Sequence, residues 1–175
     1  MQSRTFKWLK AVLLALGIAS FIKYFIFIPV TVEGISMSPT LQSGDHILYE
    51  PFTSIKRFDI ILFHDAKGDS YIKRVIGLPG ESLYYQEDQL YIDSKPVDDS
   101  FLFKKNNIDN QVFTPDFSLE SITGERLIPQ DSYFVLGDNR TRSKDSRMFG
   151  FVPKSSIEGK AILIFYPFND FTFLN

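Results

Sequence analysis

Ala11 to Val30, "AVLLALGIASFIKYFIFIPV", is a run of 20 residues in which Lys23 carries the only charge. A helix of that length reaches about 30 Å, the thickness of the hydrocarbon layer of a bilayer. The helix is expected to begin near Phe6 and to end around Phe25. Lys23 then lies close enough to the outer boundary for its ammonium to reach the interface. Arg4, Lys7 and Lys10 precede the span, so the positive-inside rule places the N-terminus in the cytoplasm and the body outside. A cleavable signal peptide would have a shorter apolar core and a small-x-small cleavage pair, and "FIPVTVEG" offers none. The reading is an anchor over residues 1–28 and one extracytoplasmic domain over 29–175, on the single-pass plan of a cell-membrane protein.

Charge and composition narrow the function of that body. Four of the 19 basic residues lie before Val30 and none of the 21 acidic ones does, so the remainder is acidic. An acidic body without a basic stripe argues against nucleic acid as the partner. Cysteine is absent, which excludes disulfides, thiolate catalysis and cysteine metal sites. Two scattered histidines, His46 and His64, make a histidine-rich metal centre improbable, and no metal or cofactor is expected.

After the apolar run the pattern turns to strands. "YFIFIPVTVEG", "GDHILYEPF", "DSYFVLGDN" and "KAILIFYPF" are rich in β-branched and aromatic residues. "DIILF" and "SYIKRVIG" read as a hairpin turned by "DAKGD", and "SLYYQEDQLYIDSKPV" as another turned near "QEDQ". No stretch beyond the anchor keeps a 3.6-residue period, so the body is mainly β. Phe101 to Ile128 mixes turn formers with short apolar runs and is expected to form excursions or long loops. Most of the 18 phenylalanines are expected in the core. A minority, in "MFGFV" or "YPFNDFTFLN", is placed to face lipid.

Three segments carry possible chemistry. In "VEGISMSPTL" Ser36 sits where a strand-like run gives way to a turn, a place that exposes a hydroxyl. In "SYIKRVIGLPGE" alternation puts Tyr71, Lys73 and Val75 on one face and Ile72, Arg74 and Ile76 on the other. A lysine among apolar neighbours loses hydration of its charged form, and its pKa falls. Bringing it from about 10.4 to about 8 requires roughly 3 kcal/mol of bias toward the neutral amine. Such an amine can take a proton from a serine, which arginine cannot do. In "GDNRTRSKDSRMFG" acids, arginines and hydroxyls crowd a loop after an apolar strand. Taken singly, each segment also has an ordinary reading: a turn, a snorkelling lysine, a solvated loop. Arg142 and Lys144 have no assigned role on this reading.

Together, "SMSPTL", "YIKRVIGLPGE" and "GDNRTRSKDSR" resemble, in order, the signature boxes of bacterial type I signal peptidases, in the short form of Gram-positive bacteria. The resemblance implies a β-sheet catalytic domain behind a membrane helix. It makes Ser36 the nucleophile and Lys73 the general base, with Ser143 hydrogen-bonding the lysine. Asp138 would pair with Arg74 and Asp145 with Arg147, bracing the site. Val32, Tyr71 and Ile72 would line pockets that admit small side chains, and Met37 would lie along the substrate strand. The Ser36 N–H would be one oxyanion donor. Some relatives carry a second, a serine hydroxyl, where this chain has Gly34. Glu81 stands where aspartate is common. The implied substrates are secretory preproteins, cut at the outer face of the membrane after small residues at the first and third positions before the bond. Membrane lipid is the other implied partner. Three alternatives stay open: a Ser-Lys autoprotease of the repressor type, a serine hydrolase using His46 or His64, and an anchored binding module without activity.

Overall fold

The computed structural model describes residues 4–25, 28–51, 53–99, 101 and 113–174, with side chains at 4–5 and 18–28 outside the described set. Helix α1 spans Arg4–Phe25 and carries apolar residues on all its sides. Its Trp8, Leu9, Leu13, Leu14 and Leu16 are exposed. Among the described residues no helix is long and apolar enough to cross a membrane, so the expected anchor rests on the sequence. α1 ends at Phe25, where the helix was expected to stop, so Tyr24 and Phe25 of the strand-like run "YFIFIPVTVEG" belong to the helix.

Among the described residues twelve strands follow: β1 (Ile28–Thr31), β2 (His46–Glu50), β3 (Ile60–His64), β4 (Ser70–Gly77), β5 (Leu83–Gln86), β6 (Gln89–Ile92), β7 (Lys95–Val97), β8 (Phe117–Ser118), β9 (Ser132–Leu136), β10 (Val152–Pro153), β11 (Ile157–Tyr166) and β12 (Thr172–Phe173). Among the described residues the short α-helices α2 (Leu119–Thr123) and α3 (Ser146–Phe149) interrupt them. Their single turns are too short to leave a helical period in the sequence. The main sheet runs β1-β2-β11-β3-β4-β9-β10, with β12 beside β11, and a smaller sheet runs β7-β6-β5-β8. The body is a mainly β fold.

The continuous apolar run of β3 is explained by burial on both faces. Ile60 belongs to a cluster with Val32, Met37, Leu41 and Ile47, whereas its neighbour Ile61 packs with Val75, Tyr133 and Val135. A third cluster joins the two sheets through Ile76, Leu83, Leu90 and Phe134. β4 lies between β3 and β9, pairing Lys73 with Ile61 and Val75 with Val135. Lys73 is thus in the middle of the sheet, where water has little access.

Part of the unreadable segment from Phe101 to Ile128 falls on residues 102–112, outside the described ones. The rest supplies β8, α2 and a buried polar cluster. Arg140 lies 5.2 and 5.5 Å from the ring centres of Tyr85 and Phe113, and its guanidinium donates to Thr114 Oγ1 at 2.7 Å. Asp99 faces it at 3.7 Å, and burial raises the Asp99 carboxyl above its usual range. Phe63, Phe113 and Phe134 are buried, and exposed phenylalanines occur in the C-terminal segment that the sequence singled out. There Phe168, Phe171 and Phe173 are 79%, 54% and 69% exposed.

Candidate active site

The loop from Val32 to Asp45 holds Ser36 by both ends and by its floor. Val32 N–H donates to Asp45 O at 2.8 Å, and Gly44 N–H returns to Val32 O at 3.0 Å. Met37 and Leu41 plug into the core below. Above, the Ser36 carbonyl accepts the Asn139 N–H at 3.0 Å, and Asn139 Nδ2 donates to Ile35 O at 3.2 Å. A Cβ at Gly137 would stand 2.5 Å from the Ser36 carbonyl oxygen and 2.2 Å from Ser143 Oγ, so only glycine lets the two loops meet.

Lys73 reaches this loop from β4. Its Nζ lies 2.9 Å from Ser36 Oγ and donates to Ile72 O at 2.8 Å. The residue is 3% exposed. Burial pulls its pKa down to about 8, while the charges of Asp145 and Asp138 pull the other way. Those carboxylates are themselves engaged. Asp138 takes a bidentate pair of bonds from Arg74 at 2.8 and 2.6 Å. Asp145 takes another from Arg147 at 2.8 Å each, accepts Gly137 N–H at 3.0 Å and caps α3. Each guanidinium offsets a negative charge that would otherwise keep the amine protonated.

One expectation needs correction. Ser143 does not hydrogen-bond Lys73. Its Oγ is buried over Gly137 and has no hydrogen-bond partner among the described residues. The amine bonds instead to Ser36 Oγ and to the carbonyl of its own neighbour, Ile72. Met37 packs into the apolar cluster beneath Ser36 and is also part of the lining of the cleft above it.

A cleft of about 550 Å³ opens over the pair. Val32, Gly34, Met37, Tyr71 and Ile72 all line it, with Ser36 and Lys73. Gly34 has φ +80° with open space where a Cβ would be, so a side chain there would be strained without clashing. The Ser36 N–H makes no hydrogen bond among the described residues.

The cleft also contains residues that the sequence reading passed over. Lys144 donates to Tyr71 Oη at 3.2 Å. The only signal was its position in the "NRTRSKDSR" loop, which does not say which side chain turns inward. Glu158 and Ser70 line the cleft with His64. His64 Nε2 pairs with Glu158, and its Nδ1 is 3.2 Å from Ser70 Oγ. Tyr49 donates to Glu158 at 3.0 Å, and burial with that carboxylate pushes the phenol up to about 12. His46 sits beside Thr31 and the rings of Phe165 and Tyr166. Neither histidine is hydrogen-bonded to Ser36. Among the described residues no cluster of His, Asp and Glu could hold a metal ion.

The family model described as signal peptidase, peptidase S26, matches residues 5–166. The chain belongs to the bacterial type I signal peptidases. Signal peptidase I of Bacillus caldolyticus is 42% identical over 98% of this chain and 95% of its own length. Signal peptidase IB of Staphylococcus aureus is 33% identical over 99% of this chain and 95% of its own length. The crystal structure of a signal peptidase I from Enterococcus faecalis is 45% identical and superposes with a TM-score of 0.57, covering 62% of this chain and 97% of that one. The fold is that of the signal peptidases.

Proposed function

We propose that the chain is a membrane-anchored serine endopeptidase that removes N-terminal signal peptides from exported preproteins. Ser36 is the nucleophile and Lys73 the general base. The observation that carries this reading is a buried amine, with its pKa drawn to about 8, standing 2.9 Å from a serine hydroxyl. Unprotonated, Nζ takes the hydroxyl proton as Oγ attacks the scissile carbonyl, then gives that proton to the departing amine. A water deprotonated by the same nitrogen hydrolyses the acyl-enzyme. The Ser36 N–H stabilises the oxyanion. Asp138, Asp145, Arg74 and Arg147 brace the two loops, and Ser143, whose Oγ is buried, packs its loop against Gly137.

The substrate lies extended in the cleft, hydrogen-bonding to backbone and presenting alternate side chains to its walls. Val32, Tyr71 and Ile72 leave room for small residues at the first and third positions before the cut. Exposed apolar residues all round α1 favour an anchor in lipid, with residues 1–28 as cytoplasmic end and span and 29–175 as the outer domain. The exposed phenylalanines of the C-terminus are suited to the same lipid surface. The test is cleavage of a preprotein by wild type, Ser36→Ala, Lys73→Ala and Lys73→Arg. All three variants are expected to yield no product, the arginine because it stays protonated. Substantial processing by any of them would overturn the dyad.

A further inference from the structure

Next to the catalytic cleft is a second cavity of about 450 Å³, lined mainly by Phe63, Phe149, Phe151, Val152 and Pro153, with the charged Asp65 and Lys67. The two spaces share Lys144 and His64 as common rim. Tyr71 is the partition. Its ring stacks on Phe63 at 5.7 Å and meets Phe149 at 5.9 Å. Lys73 Nζ and Lys144 Nζ each lie 5.5 Å from its centre. The two nitrogens are therefore at most about 11 Å apart, a span of three to four residues of extended chain at about 3.3 Å each. A polypeptide held with its scissile carbonyl at Ser36 and running toward this rim carries a side chain to the mouth of the cavity within about four residues of the cut.

Resting on the signal-peptidase reading above, we propose that this cavity is an additional substrate subsite, taking one bulky apolar side chain of the preprotein outside the two small positions. Its lining is mainly apolar, with Asp65 and Lys67 also part of it, and it has room for a side chain as large as leucine or phenylalanine. Continuity with the cleft across Lys144 and His64 identifies the occupant as part of the same polypeptide. The subsite would thus add affinity at one position while the small-residue pockets set the site of cleavage.

The test uses the full chain in detergent and peptides with alanine at the first and third positions before the cut. Leucine is compared with serine at each other position within four residues on either side. One position is expected at which leucine raises kcat/KM about tenfold or more. Ala66→Trp and Ser156→Trp, which add bulk at two residues lining the cavity, should remove that gain and leave the all-serine peptide unaffected. No position favouring leucine, or a gain that survives both variants, would overturn the subsite. Failure of wild type to cut even the all-serine peptide would instead overturn the proteolytic function, and the subsite with it.

Discussion

At the scale of the residue, Lys73 is a group whose usefulness is opposed to stability. Its pKa of about 8 in the fold stands below the value of 10.5 for a free side chain. Between those values the unfolded chain binds the proton and the native one does not, so stability rises with pH across that window. Below about pH 8 both states are protonated and the full cost of burying the ammonium, about 3 kcal/mol, is present. Lys73→Met is therefore expected to be inactive yet more stable than wild type at pH 7, by up to that amount, in urea unfolding. The difference should shrink as pH approaches 10, and a methionine variant less stable at pH 7 would contradict the account. The bracing ion pairs give a second prediction. Asp145 raises the lysine pKa, and Arg147 offsets Asp145. Arg147→Gln should move the alkaline rise of kcat/KM to higher pH, and an unmoved midpoint would show that Arg147 has no electrostatic part. The residue types of this site were legible in three short segments. The residue pattern alone did not choose among Ser36, Ser143 and Ser146, whereas the family resemblance named Ser36, whose Oγ lies 2.9 Å from the amine. Ser146 Oγ in fact accepts Val135 N–H at 2.9 Å, a tie within the scaffold.

At the scale of the element, the hairpins were readable because alternation and turn formers are local signals. The β5–β6 turn is more demanding than its sequence suggests. Glu87 and Asp88 both have positive φ, 50° and 63°, the conformation of a tight two-residue hairpin that favours Asn and Gly. Asp88 has a use for its side chain, accepting Phe113 and Thr114 N–H groups at 2.8 and 2.5 Å. Glu87 contributes only its backbone N–H, to Asp116 at 2.9 Å. Glu87→Asn is accordingly expected to stabilise the protein by about 0.5 kcal/mol, read as a rise in thermal midpoint. A fall would mean that the glutamate side chain matters to the turn. The strands β8 and β10 and helix α3 were not legible. Elements of two to four residues have no period of their own, and long-range pairing defines them.

At the scale of the whole molecule, the proposed topology makes a prediction independent of chemistry. In sealed right-side-out membrane vesicles, external protease should digest residues 29–175 and leave the N-terminus protected. Reversing the charges at Arg4, Lys7 and Lys10 should weaken that orientation, and digestion confined to the N-terminus would invert the scheme. The sequence by itself determined the apolar run, the β character of the body and the chemical types available, a serine, a lysine and no cysteine, because each is a matter of composition or short-range periodicity. Only the tertiary structure decided that residues 37 positions apart meet at 2.9 Å, that Lys144 faces the cleft, and that Ser143 does not touch the amine. The reason is that desolvation and contact belong to surfaces assembled from distant strands, and the order of residues along a chain carries no direct record of which surfaces will close on one another.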